Sequence, residues 1–157
     1  MGIRPGEVVA SFIAAIERGD LDGALAFMAP DCEYDNVPIG KAIGHNAIRN
    51  MLALFVAPDD HTAIGSGIDV RMVQFEIVRQ AVQGQMLFNE RVDRLLVGGK
   101  AVTMAVVGVW ETDPETGKIT LWRDYFDMGQ ITSAITSDRP EDIAASIREQ
   151  IEPPRPG

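Results

Sequence analysis

Apolar residues recur at helical spacing from the start of the chain. Val8, Val9, Phe12, Ile13 and Ile16 fall on one face, and Pro5 suits a first turn, so the spacing predicts a helix over 5–18 that Gly19 ends. Asp20 can cap a second, short helix, "LDGALAFMA", whose Leu21, Leu25 and Met28 share a face and which Pro30 closes. "CEYDNVP" reads as extended, stopped by Pro38, and "HNAIRNMLALFVA" (45–57) reads as a third helix. The pattern then changes period. Residues 68–79, 84–97, 101–112 and 118–128 read as strands, separated by turn signals such as "GGK" and "DPETGK". "VGGK" at 97–100 fits a hairpin turn rather than a phosphate loop. "PEDIAASIREQ" reads as a C-terminal amphipathic helix, and "EPPRPG" is composed like a disordered end.

Helices first and a meander of strands afterwards is an α+β order. A curved, mainly antiparallel sheet cannot bury a face on itself, so the N-terminal helices should cover it. A small sheet wrapped around helices leaves a cone with an internal pocket, a usual place for a ligand. The expected organisation is one domain over 1–150 with a disordered tail over 151–157.

One predicted strand breaks the simple pattern. "FNERVDRLL" (88–96) has apolar ends but carries Glu90, Arg91, Asp93 and Arg94 in its middle. Alternation puts Arg91 and Asp93 on one face and Glu90 and Arg94 on the other. Either the strand is wetted on both sides or one face looks into a polar site. Two other segments pair polar side chains two residues apart: Tyr34 with Asn36, and Trp122 with Asp124. If all three faces look inward, the pocket holds two carboxylates, a guanidinium, a phenol and an amide. Against this stands the ordinary use of strand charges on a solvated face, where Arg91 would pair with any cross-strand carboxylate.

Composition narrows the functional classes. The chain has 157 residues, 46% hydrophobic and 24% charged, enough for a core without disulfides. The single cysteine, Cys32, allows no internal bridge and reads as a small buried group. A formal charge of −9, with no basic tract, disfavours nucleic acid as a partner. No segment is apolar enough to span a membrane or to act as a signal peptide, so a cytoplasmic protein is expected. His45 and His61, the two histidines, have no Ser or Cys motif beside them, and no spacing suggests a metal site or a cofactor.

In this order, "EYDNVP", "NERVDRL" and "ITLWRDYFD" resemble the limonene-1,2-epoxide hydrolase family, within the nuclear-transport-factor-2-like superfamily. The likeness runs over about residues 5–131 and leaves the segment after 137 unplaced. It implies a cofactor-independent epoxide hydrolase that adds water to a lipophilic epoxide in one step. Asp124 would be the base, Asp93 the acid and Arg91 the bridge between them. Tyr34 and Asn36 would hold the attacking water. Trp122, Phe126, Met72, Met86 and Met104 are candidate wall residues, with a core role open for each. The family's dimers suggest a homodimer, for which "VTMAVVGVW" (102–110) offers an apolar outer face. Two alternatives remain open on this fold: an isomerase or cyclase of the ketosteroid-isomerase or polyketide-cyclase type, and a non-catalytic module that binds lipophiles.

Overall fold

The computed structural model describes residues 4–56 and 70–136, with side chains through 133. Helix α1 (Pro5–Glu17) and the one-turn α2 (Leu21–Leu25) lead into β1 (Met28–Asn36) and β2 (Gly40–Ile43). Helix α3 (Gly44–Val56) follows. The meander is β3 (Val70–Gln83), β4 (Met86–Val97), β5 (Lys100–Thr112) and β6 (Ile119–Phe126), and α4 (Met128–Thr136) comes after it. The six strands form one sheet in the order β2-β1-β6-β5-β4-β3, antiparallel throughout except where β1 runs parallel to β6. This is the expected α+β class with a mixed, mainly antiparallel sheet.

One face of the sheet is buried beneath the helices. Val8, Val9, Phe12, Ile13 and Ile16 of α1 pack with Ile48, Leu52 and Val56 of α3 onto Leu87, Trp110, Ile119 and Trp122. Phe12 meets Trp110 and Trp122 edge-on, with ring centroids 5.6 and 5.0 Å away. The two indoles stack at 4.9 Å, and Tyr34 stacks on Trp122 at 4.0 Å. Such aromatic pairs contribute about 0.5–1.5 kcal/mol each beyond area burial. The row they form spans β1, β6 and β5, and fixes the floor beside which the polar side chains stand.

Several local expectations need correcting. The second helix stops at Leu25, and Met28, Ala29 and Pro30 belong to β1. Pro30 fits inside this interior strand because the pairing with β6 is irregular between Met28 and Glu33, and β2 pairs only from Glu33 onward. No ladder hydrogen bond is asked of its missing N–H. The short strand β2 was not anticipated, nor was α4, whose Ile and Thr residues favour strands. Its start was readable in Asp127, whose carboxylate accepts the Gly129 N–H at 2.8 Å. The turn at 97–100 is as expected: Gly98 and Gly99 both take positive φ, 55° and 79°, the requirement of a two-residue hairpin loop. The expected C-terminal helix and tail lie outside the described residues. Among those residues, no helix is long and apolar enough to cross a membrane.

Candidate active site

Strand register brings the site together. Across the inner face, Asn36 on β1 stands opposite Asp124 on β6, and Gly108 on β5 lies between Asp124 and Asn89 on β4. The neighbouring row holds Tyr34, Trp122 and Trp110, and the row on the other side holds Phe126, Val106 and Arg91. Alternation along β4 turns Leu87, Asn89, Arg91, Asp93 and Leu95 inward and leaves Glu90 exposed. On the outer face Glu90 pairs with Arg79, and Arg94 pairs with Glu76 and Gln74. The charge on both faces of this strand therefore has two explanations, one per face.

The register of β1 on β6 is held from the outside. Arg123 donates to Asp35 at 2.8 Å and to Glu33 at 3.2 Å, and Lys41 reaches Glu33 at 2.7 Å. These odd-numbered partners on the outer face align the even-numbered ones within. A one-residue slip would turn Tyr34 and Asn36 out of the pocket.

Arg91 has no exposed surface, and Asp93 and Asp124 are buried with it. Its guanidinium forks twice. Nε and Nη2 donate to the two oxygens of Asp93, each at 3.0 Å, while Nη1 and Nη2 donate to Asp124 at 3.0 and 2.8 Å. The cation also lies 5.0 Å from the centre of the Phe75 ring. Trp122 Nε1 donates to Asp124 Oδ1 at 2.7 Å, so Oδ1 has two donors and Oδ2 only one. A lone pair of Oδ2 is left to accept a further proton. Asn36 Nδ2 donates to the Tyr34 hydroxyl oxygen at 2.9 Å, which leaves the phenolic O–H free to donate. Asn36 Oδ1 is buried without a partner among the described residues, an acceptor in search of a donor.

Two carboxylates and one guanidinium sum to a single negative charge in a dry place. Burial resists that charge and pushes the Asp93 carboxyl up to about 6; the Arg91 hydrogen bonds and charge offset part of the shift, while Asp124 and Glu17 add to it. Burial also disfavours the Arg91 cation, but Asp124 and Asp93 outweigh it and hold the guanidinium charged. The Tyr34 phenol is raised well above its ordinary value, first by burial and then by Asp124, and stays neutral. The site thus contains a carboxyl able to carry a proton near neutrality and a second carboxyl group beside it. That is the division of labour an acid–base pair needs.

These groups open into an apolar pocket with about 500 Å³ of empty space, part of it open to solvent. Its lining includes Tyr34, Asn36, Asp93 and Asp124 at the polar end, and Met72, Phe75, Met104, Trp122 and Phe126 along the walls. Leu52 and Phe55 of α3 and Ile131 of α4 complete it. Met86 is not among them. It sits at the hairpin end of β4, 37% exposed, because the alternation that turns Arg91 and Asp93 inward turns an even-numbered residue outward. Asn89 was the residue missed. It is buried in the same inward series, and its Oδ1 accepts from Trp110 Nε1 at 3.3 Å. Its spacing of two from Arg91 was the available signal. His45 is not among the lining residues, and its Nε2 lies 3.0 Å from the Met28 carbonyl oxygen. His61 lies outside the described residues. Cys32 is buried, and burial together with Asp31 and Glu33 pushes its thiol up to about 12, far from a reactive thiolate.

A sheet folded over an apolar pocket, with one guanidinium clamped between two buried carboxyls at its polar end, is the arrangement these residues build. Residues 3–137 match the limonene-1,2-epoxide hydrolase catalytic domain, and the chain belongs to that family. Over 120 residues it is 32% identical to epoxide hydrolase EphG of Mycobacterium tuberculosis, covering 76% of this chain and 71% of that protein. A solved structure of an M. tuberculosis LEH-like epoxide hydrolase superposes with a TM-score of 0.61 at 27% identity, covering 83% of this chain and 94% of that one. The fold is shared more widely. A SnoaL-like protein from Shewanella denitrificans superposes with a TM-score of 0.67 at 15% identity, over 85% of this chain and 98% of that one.

Proposed function

We propose that the chain adds water to a lipophilic epoxide in one step and releases a vicinal diol. The observation that carries this reading is the double fork of Arg91 on Asp93 and Asp124, with Asn36 placed opposite the second carboxylate. Water is held by three groups: it donates to Asp124 Oδ2 and to the Asn36 carbonyl, and accepts from the Tyr34 hydroxyl. Its oxygen attacks one epoxide carbon as the carbon–oxygen bond on that carbon breaks. Asp124 takes a proton from the water, and Asp93 gives its proton to the departing oxygen. A proton must then return from Asp124 to Asp93 before the next cycle. Each acid or base role contributes on the order of 10²–10⁴ in rate. Arg91 keeps the two carboxyls apart in position and offsets the charge that moves between them.

The walls define the substrate class. Among the described residues, every lining group away from the acid–base end is apolar, so a charged or heavily hydroxylated substrate would leave its polar groups unpaired there. Met72 and Met104 are adaptable and tolerate differently shaped bodies. Diol formation screened over terpene, aryl, fatty-acid and sterol epoxides tests the reading. Turnover of at least one is expected; an enone isomerised, with no epoxide opened, would move the protein to the isomerase class.

The acid sets the pH dependence. Asp93 acts in its protonated form, and its carboxyl loses that proton near pH 6. In the pH profile of kcat/KM, the value should fall about tenfold per unit once the pH is well above about 6. A rate that keeps rising through pH 8 would remove Asp93 as the acid.

The outer face of the sheet suits a second copy of the chain. Phe88, Val107 and Tyr125 are 43%, 46% and 48% exposed on three adjacent strands, with Val109 among them. Apolar side chains clustered in this way mark an interface. Light scattering at micromolar concentration should give the mass of a dimer, and a stable monomer would count against this arrangement.

A further inference from the structure

Arg91 stands on β4, and Asp124 stands two strands away on β6, with β5 between them. The guanidinium bridges that distance by lying over one position of β5, Gly108, which pairs with Asn89 on one side and Asp124 on the other. A Cβ placed on Gly108 would come within 2.6 Å of Arg91 Nη1, 2.5 Å of Asn89 Oδ1 and 2.8 Å of Trp110 Nε1. The indole cannot yield, because it stacks on Trp122 and is wedged by Phe12. The guanidinium could yield only by giving up part of its double fork. Asn89 closes the same space from β4. A guanidinium has five N–H groups. Four go to the two aspartates, and Nη1 also meets Asn89 Oδ1 at 3.5 Å, the longest of the contacts. The amide nitrogen of Asn89 has no partner among the described residues, so this side chain is buried with one end unpaired while its oxygen serves Arg91 and Trp110.

We infer that Gly108 and Asn89 are positioning residues for the reaction: Gly108 leaves the gap through which Arg91 crosses β5, and Asn89 holds the guanidinium in that gap between the two aspartates. Neither lines the pocket, so neither touches substrate. The inference rests on the acid–base reading of Asp93 and Asp124, but the position of Arg91 can be followed without turnover. The groups that act electrostatically on Asp93 are Arg91 on its own strand, Asp124 on β6 and Glu17 on α1, with the Tyr34 phenol beside Asp124. Of these only Arg91 lowers the carboxyl, so displacing the cation must raise it.

The test compares wild type, Gly108→Ala and Asn89→Leu by NMR, following the Arg91 side-chain N–H signals and the titration of carboxyl-labelled aspartates. In Gly108→Ala, the Arg91 signals should shift or broaden and Asp93 should titrate at least about one pH unit higher. The same variant should lose about 10² or more in kcat with little change in KM, since the walls are untouched. Asn89→Leu keeps the volume and removes the acceptor, and should raise Asp93 by about half a unit with a severalfold loss in kcat. If Gly108→Ala folds and leaves both signals as in wild type, the inference is overturned. If it does not fold, Asn89→Leu decides: a raised Asp93 supports the inference and an unchanged titration overturns it. A wild type that opens no epoxide would sink the proposed function instead, with the titrations still deciding the placement of Arg91.

Discussion

Replacing Arg91 with Met should abolish diol formation and make the fold strongly dependent on pH. The wild-type guanidinium is buried without exposed surface and neutralises one of two buried carboxylates. Removing it leaves Asp93 and Asp124 facing each other with no cation. Breaking a buried ion pair in this way costs about 3–5 kcal/mol. For a domain of this size that lowers Tm by about 10 °C or more at pH 7–8. The sign of the pH effect follows from linkage. Without Arg91 the folded-state Asp93 carboxyl, already raised by burial, rises further above its unfolded value, so the folded state binds more protons. Its stability is present at low pH and is lost as pH rises through the raised folded value. The Tm gap between wild type and Arg91→Met should therefore shrink toward pH 5 and widen toward pH 8. A gap constant over that range, in thermal melts at matched ionic strength, would mean that Arg91 does not hold the two carboxylates. Arg91→Lys should also fail to restore activity, because an ammonium cannot fork to two carboxylates at once.

Replacing Asp124 with Asn should cost at least about 10² in diol formation. The amide can still accept from Trp122 and from Arg91 Nη1, so shape is kept, but it cannot take a proton from water. Stability should move little. The amide nitrogen meets Arg91 Nη2 donor to donor, which destabilises, while the buried negative charge of the triad is removed, which compensates. Melting within a few degrees of wild type is expected. A folded Asp124→Asn enzyme with near-normal turnover would take Asp124 out of the mechanism.

Much of this site could be read from residue spacing. Arg91 with Asp93, Tyr34 with Asn36, and Trp122 with Asp124 are each two apart in strand-like segments, and a strand turns such pairs to one face. The turn at Gly98–Gly99 announced itself by composition, and it fixed the β4–β5 register that places Arg91 beside β5. Three things were hidden because they depend on pairing between distant segments. The parallel contact of β1 with β6, which sets Asn36 opposite Asp124, joins residues nearly ninety positions apart in sequence. The role of Gly108 exists only because β4 and β6 flank it. Pro30 looked like a helix stop because nothing local reveals that neither neighbouring strand needs its N–H. Met86 was a different kind of miss. Its parity already placed it opposite to Arg91, and only its residue type suggested a pocket wall.

In the proposed mechanism, water activated by Asp124 attacks the epoxide directly. An aspartate could instead attack the ring and form an ester, which a second base would have to hydrolyse. The Tyr34 hydroxyl and the unpaired Asn36 oxygen, placed beside the free lone pair of Asp124 Oδ2 where they can hold a water, favour the direct route. A single turnover with enzyme in excess, run in water labelled with heavy oxygen, separates the two. Direct attack puts the heavy oxygen into the diol in that first turnover and leaves the aspartates unlabelled. An unlabelled diol, with heavy oxygen found in Asp124 or Asp93 by peptide mass analysis, would contradict the account.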